Sequence, residues 1–193
     1  MDRKARLEQM QKICELNFGK VVKGSELLPK NHIKTGNKQL DEVLGGGIPQ
    51  GSIIEIHGLE STGKTALALH IIKAFQKKNK TIVIKDSDGG MSVPYIKRHG
   101  VKTKNIYTLN TITLEDTFSC ILQLIPCTDL IVIDSLHAIP SQLELQGSEI
   151  CMNNPTVKVL SHTWVQIKQL CNKYNCTVLV VNQMREKSWY FVR

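Results

Sequence analysis

The sequence predicts an α/β fold in which a mostly parallel sheet carries helices on both faces. Three observations point to it. Five short apolar runs have strand length: Ile53–His57, Thr81–Lys85, Asn105–Leu109, Asp129–Asp134 and Thr177–Asn182. Segments of helical periodicity fall between them, and a glycine-bearing loop joins the first run directly to the helix after it. Strands alternating with helices of this length are the pattern of a parallel, two-sided sheet.

Taken in order, residues 4–18 place Leu7, Met10, Cys14 and Phe18 at steps of three and four, and Gly19 supplies a stop. That spacing predicts a short amphipathic helix. Lys20–Lys34, with Gly24, Ser25, Pro29 and Asn31, reads as an irregular linker. A helix followed by a linker either covers the edge of the core or packs on another subunit, and the residues favour neither. The expected division is therefore 1–34 for helix and linker and 35–193 for the core. Gly45–Gly51 is rich in turn residues and leads into the first strand. A helix is expected over about Lys64–Lys77, with Leu67, Ile71, Ile72 and Phe75 inward. Two more are expected at Glu115–Leu124 and Thr156–Tyr174, the latter with Leu160, Trp164, Ile167 and Cys171 on one face. There is no internal repeat and no biased tract.

The 193 residues, 41% hydrophobic and 22% charged, suit one domain with a real core and exclude a disordered tail. A net charge of +8 favours an anionic partner such as nucleic acid, or a solvated basic surface. The cations gather in runs, Lys73–Lys80 and Lys97–Lys104, expected on outer helical and loop surfaces. The charged start carries no apolar signal core, and no apolar run approaches the roughly 18 residues of a membrane span. The six cysteines are scattered without zinc spacing, so a reduced, cytoplasmic protein without a cysteine-held metal is expected.

The most specific motif is Gly58-Leu59-Glu60-Ser61-Thr62-Gly63-Lys64-Thr65, a complete G-x-x-x-x-G-K-[ST] loop between strand and helix. Its glycines let backbone N–H groups turn inward to cradle phosphates, helped by the positive end of the following helix. Lys64 is expected to hold the β- and γ-phosphates and the Thr65 hydroxyl to ligate Mg²⁺. Leu130–Asp134 ends a buried strand in a carboxylate, which is costly without a cation or donors, so Asp134 is expected to hold Mg²⁺ through water. Ser135 should lie in the same crevice at the carboxyl ends of the strands. Asp86 and Asp88 end another strand, and either could face a γ-phosphate. Asn182 and Gln183 place two amides at the end of the last strand.

Together these residues resemble the ATPase core of RecA-type recombinases. The further landmarks are Phe18-Gly19-Lys20, Thr35-Gly36, Leu40-Asp41, Leu44-Gly45-Gly46-Gly47, Tyr95, Gly100-Val101 and Met184-Arg185. The order and spacing cover the chain from the first helix to about Arg185, and Glu60-Ser61 leans towards the bacterial and phage branch. The resemblance implies ATP and Mg²⁺ as ligands, DNA-dependent hydrolysis, and assembly on single-stranded DNA as a filament in homologous recombination and DNA repair. It implies that the first helix packs on a neighbouring protomer and that Tyr95 lies against adenine. Asp88 then matches the water-activating glutamate, and Gln183 the amide that senses γ-phosphate. Two DNA loops follow from it. The first is about Gln146–Pro155, where Gly147, Ser148, Asn153 and Asn154 would grip through backbone and amide groups. The second begins with Arg185 and Lys187.

Three departures modify this. Asp88 is a methylene shorter than the family's glutamate, about 1.5 Å of reach, so slow hydrolysis is expected. Ser92 stands where the family usually has an aspartate near the adenine, which would relax base selectivity. The family continues beyond the second loop, so a chain ending at Arg193 leaves an open sheet edge, which Trp189–Val192 would cover or add to as exposed apolar surface. Two alternatives follow: a nucleotide-binding module that modulates a full-length recombinase, or a KaiC- or RadA-like ATPase without recombinase activity.

Overall fold

The computed structural model describes residues 2–17, 31–147 and 155–183. The chain forms two compact units, residues 1–30 and 31–193. In the first, α1 (Arg3–Asn17) is a helix whose Leu7, Met10 and Ile13 are all exposed. The second begins four residues earlier than the sequence pattern suggests. There β1 (His32–Ile33) pairs antiparallel with β2 (Ile48–Pro49), drawing residues 31–34 into the core unit. Between these strands runs α2 (Lys38–Val43), capped by the Asn37 side chain on the Leu40 N–H at 3.1 Å. Gly47 has φ +123°, and a Cβ there would stand 2.5 Å from the Ile33 carbonyl oxygen, so only glycine lets the ribbon close.

The rest of the unit is the expected α/β core. In chain order it comprises β3 (Ile53–Gly58), α3 (Lys64–Gln76), β4 (Ile82–Asp86), α4 (Val93–Arg98), β5 (Ile106–Thr108) and α5 (Leu114–Leu124). Then come β6 (Leu130–Asp134), α6 (Gln142–Leu145), α7 (Pro155–Tyr174) and β7 (Thr177–Gln183). The five core strands are all parallel in the order β3-β7-β6-β4-β5. Alternate residues of one strand feed two separate cores. Ile82, Ile84, Leu130, Val132, Leu179 and Val181 meet Leu69, Ile72 and Phe75 of α3 on one face. On the other, Val83, Ile131, Ile133, Val178 and Val180 meet Phe118 and Ile121 of α5 and Ile167 and Cys171 of α7. Central strands covered on both faces read as unbroken apolar runs, which is why they were legible. Burying each such side chain contributes about 1.5–3 kcal/mol.

The ribbon, α2 and α4 were not expected from the sequence, being too short to show a period. Beside β3, one edge of the sheet, an apolar groove of about 440 Å³ is lined by Ile53, Leu136, Trp164, Val165 and Val180. No helix among the described residues is long and apolar enough to cross a membrane.

Candidate nucleotide-binding site

All five parallel strands point their carboxyl ends the same way, and the loops there enclose a cavity of about 420 Å³. It is lined by Glu60, Ser61, Gly63, Lys64 and Thr65 of the glycine loop, and by Asp88, Tyr95, Asp134, Ser135 and Gln183. Residues up to 123 positions apart in sequence thus meet because four strands end together.

The loop begins where β3 ends. Ser61 (φ +57°) and Gly63 (φ +88°) both take the left-handed conformation, which costs a serine roughly 1–2 kcal/mol. Gly63 is also the N-cap of α3 and offers no capping side chain, so the N–H groups of the first helical turn are left for a ligand. The Lys64 ammonium folds back over the loop and donates to the carbonyls of Gly58 (3.1 Å) and Leu59 (2.6 Å). Thr62 donates its hydroxyl to the Leu59 carbonyl at 2.8 Å, closing the loop from behind. Of the eight motif residues, Gly58, Leu59 and Thr62 shape the loop rather than line the cavity.

Across the cavity floor, the Thr65 hydroxyl donates to a carboxylate oxygen of Asp134 at 2.7 Å. Asp134 is only 5% exposed. Burial pushes its pKa above the usual carboxylate value of 3.8, and the charges of Asp88 and Asp86 push the same way; the Thr65 hydrogen bond and Lys64 oppose them. Three carboxylates therefore face one ammonium, an electrostatic deficit that a cation would relieve. The oxygen donors Thr65 and Asp134 fit Mg²⁺, which takes one or two protein oxygens and completes its shell with phosphates and water. Among the described residues no group of three or more His, Cys, Asp or Glu could hold a metal unaided.

The two strand-end acids of β4 have different surroundings. Asp86 accepts from the backbone N–H of Gly90 (3.2 Å) and Met91 (2.8 Å) and so organises the turn. Asp88 lines the cavity and accepts a hydrogen bond from the Ser135 hydroxyl at 2.7 Å. Gln183 ends β7 in register with Gly58, at the start of the phosphate loop. Asn182 faces away and donates to Glu55 at 3.0 Å.

Tyr95 sits on α4 and reaches the cavity rim. Its ring meets the His99 ring edge-on at 4.5 Å, and His99 Nδ1 lies 3.0 Å from the Tyr95 carbonyl. Sequence reasoning missed His99; the signal was its i+4 spacing from Tyr95 on a helix. Ser92 N-caps α4 without a side-chain hydrogen bond. Gly147 is exposed with φ +78°. Ser148, Asn153, Asn154, Arg185 and Lys187 lie outside the described residues.

A parallel sheet with a strand–glycine loop–helix at its carboxyl end defines the core of a P-loop NTPase. Residues 5–191 match the RecA N-terminal domain family, and the chain belongs to it. It is 34% identical over 197 residues to Protein RecA of Wolbachia sp. subsp. Brugia malayi (strain TRS), covering 96% of this chain and 55% of that protein. It is 37% identical over 193 residues to Protein RecA of Helicobacter pylori (strain Shi470), covering 94% and 53%. The chain thus spans about half the length of the curated relatives it matches.

Proposed function

We propose that this chain binds ATP with Mg²⁺ in the cavity at the carboxyl ends of its strands. We further propose that it acts as a DNA-dependent ATPase that assembles on single-stranded DNA, in the manner of a RecA-like recombinase in the cytoplasm. The observation that carries this is the convergence of Lys64, Thr65, Asp134, Asp88 and Gln183 on one cavity from four strands. Lys64 exchanges the carbonyls of Gly58 and Leu59 for phosphate oxygens, gaining charge-assisted bonds in place of neutral ones. The loop N–H groups hold the remaining phosphate oxygens, and Tyr95 stacks on the base. Thr65 and Asp134 hold Mg²⁺, which neutralises phosphate charge when bound.

Asp88 orients the attacking water and takes its proton as the water oxygen bonds to the γ-phosphorus and the β–γ bridge breaks. Ser135 fixes the Asp88 carboxylate for this through its hydroxyl hydrogen bond. The short side chain supports slow turnover. Gln183, beside Gly58, senses the γ-phosphate and passes its presence to the residues after β7, where Arg185 and Lys187 begin the second DNA contact. Gly147, Ser148, Asn153 and Asn154 form the first. Residues 3–17 supply a protomer contact through the exposed Leu7, Met10 and Ile13.

The test is single-stranded DNA binding with and without ATP, titrated against salt. ATP should strengthen binding, and binding should weaken steeply as salt rises. An identical titration with and without ATP would remove the role given to Gln183. Because the chain spans half of its relatives' length, a second outcome is meaningful. Nucleotide binding without DNA binding would mark a module that modulates a longer recombinase.

A further inference from the structure

The basic runs of the sequence take no part in the nucleotide site. They meet at the amino end of the sheet. Because the strands are parallel, α3 starts at the carboxyl end of the sheet and finishes at the amino end, where Lys80 and Thr81 lead into β4. The segment from Lys97 to Asn105 follows α4 down to the amino end of β5. The two segments are tied side by side. Gln76 accepts the Lys102 N–H at 2.9 Å and donates back to the Lys102 carbonyl, while the Lys73 ammonium caps the His99 carbonyl at 3.4 Å.

Six cations stand exposed on this surface: Lys77, Lys78, Lys97, Arg98, Lys102 and Lys104. Lys80 is spent on Asp129 in an ion pair at 2.8 Å, and among the described residues none of the six has a carboxylate partner. Between positions 61 and 114 the sequence has only two carboxylates, Asp86 and Asp88, and both lie at the nucleotide end of β4. Helix-dipole compensation accounts for a cation or two near the end of α3, not for six on three separate segments. The hydrophobic residues within the two runs, Ala74, Phe75 and Val101, are buried, so the runs themselves have nothing to insert into a bilayer.

We infer that this amino-end surface is a polyanion-binding site that takes the phosphate backbone of double-stranded DNA, separate from the nucleotide cavity and its adjoining loops. Cations on mutually tied segments, whose one neighbouring acid Asp129 is already taken by Lys80, match a ligand whose charge is repeated along a stiff rod. Lysines, which are point charges, outnumber the single arginine, so contacts to phosphate prevail over bidentate contacts to base edges. Binding here is independent of sequence and needs no ATP. It therefore goes beyond the proposed ATPase and stands or falls separately from it.

The test is fluorescence anisotropy of a labelled random-sequence duplex, without nucleotide, as KCl is raised. The triple variant Lys77→Gln/Lys78→Gln/Lys102→Gln should flatten the plot of log K against log [KCl] by about 3 units of slope. It should also weaken low-salt binding by about tenfold or more, with an unchanged melting temperature and unchanged ATP binding. A control triple, Lys38→Gln/Lys168→Gln/Lys173→Gln, removes the same charge elsewhere and should change the slope little. Equal losses in the two triples would overturn the site in favour of a general net-charge effect. So would wild-type duplex binding in the first triple, or binding of phosphatidylserine vesicles without binding of duplex.

Discussion

The two ends of the sheet carry charge in opposite ways. At the carboxyl end several polar side chains are held by named partners: Lys64 by two carbonyls, Thr65 by Asp134, Asp88 by Ser135, Asp86 by two amides. At the amino end, one ion pair and one carbonyl cap aside, the cations face solvent. The first arrangement suits one small ligand of fixed shape, since prepaid positioning is what gives a site its selectivity. The second suits a long ligand read only by its charge. A cationic tally of the sequence cannot tell them apart; the partners can.

The comparison breaks most visibly at Lys64. Lys64→Ala should weaken ATP binding by about 100-fold or more, since a buried charge-assisted pair contributes about 1.5–3 kcal/mol per bond, and calorimetry reads the loss. Asp88 comes next. If it positions water, Asp88→Asn should abolish steady-state phosphate release, while Asp88→Glu restores reach and should raise it by up to about 100-fold. Brisk turnover untouched in Asp88→Asn would remove that role.

Protonation separates two acids of opposite sign. Asp134 has a folded pKa above 3.8, so between 3.8 and that raised value the native chain holds a proton that the unfolded chain has released. That stability is full below 3.8 and is lost as pH rises through the raised value. Asp134→Asn should flatten this window and raise the neutral melting temperature of the nucleotide-free chain. Asp41 is the reverse: hydrogen bonds from the Thr35 N–H (2.8 Å) and hydroxyl (2.7 Å) lower its pKa. Its contribution is present above 3.8 and lost as pH falls through the lowered value, and Asp41→Asn should remove that acid-side loss in thermal melts. Smallest is the Lys80–Asp129 pair, with both side chains 31% exposed. Lys80→Met should change stability by no more than about 1 kcal/mol in urea unfolding.

Much of this was legible in the sequence for physical reasons. Leu130–Asp134 and Thr177–Val181 are buried on both faces, so nothing interrupts their apolar runs. The glycine loop was legible because phosphate binding fixes both residue type and spacing. The pairings inside the cavity were not, because Thr65–Asp134 and Asp88–Ser135 join residues 69 and 47 positions apart. Nor could spacing separate Asp86 from Asp88; only the amides of Gly90 and Met91 show that one acid holds a turn. The β1–β2 ribbon rests on two residue pairs and the bare backbone of Gly47, too little for any periodic signal.

The proposed function rests on Thr65 and Asp134 building a cation site that works with the phosphate loop. Its most direct test is ATP affinity measured with Mg²⁺ and with EDTA, in the unaltered chain and in Asp134→Asn. A clear gain from Mg²⁺ is expected in the unaltered chain and should disappear in Asp134→Asn, leaving both proteins alike in EDTA. An equal Mg²⁺ gain in the two proteins, or none in either, would contradict it.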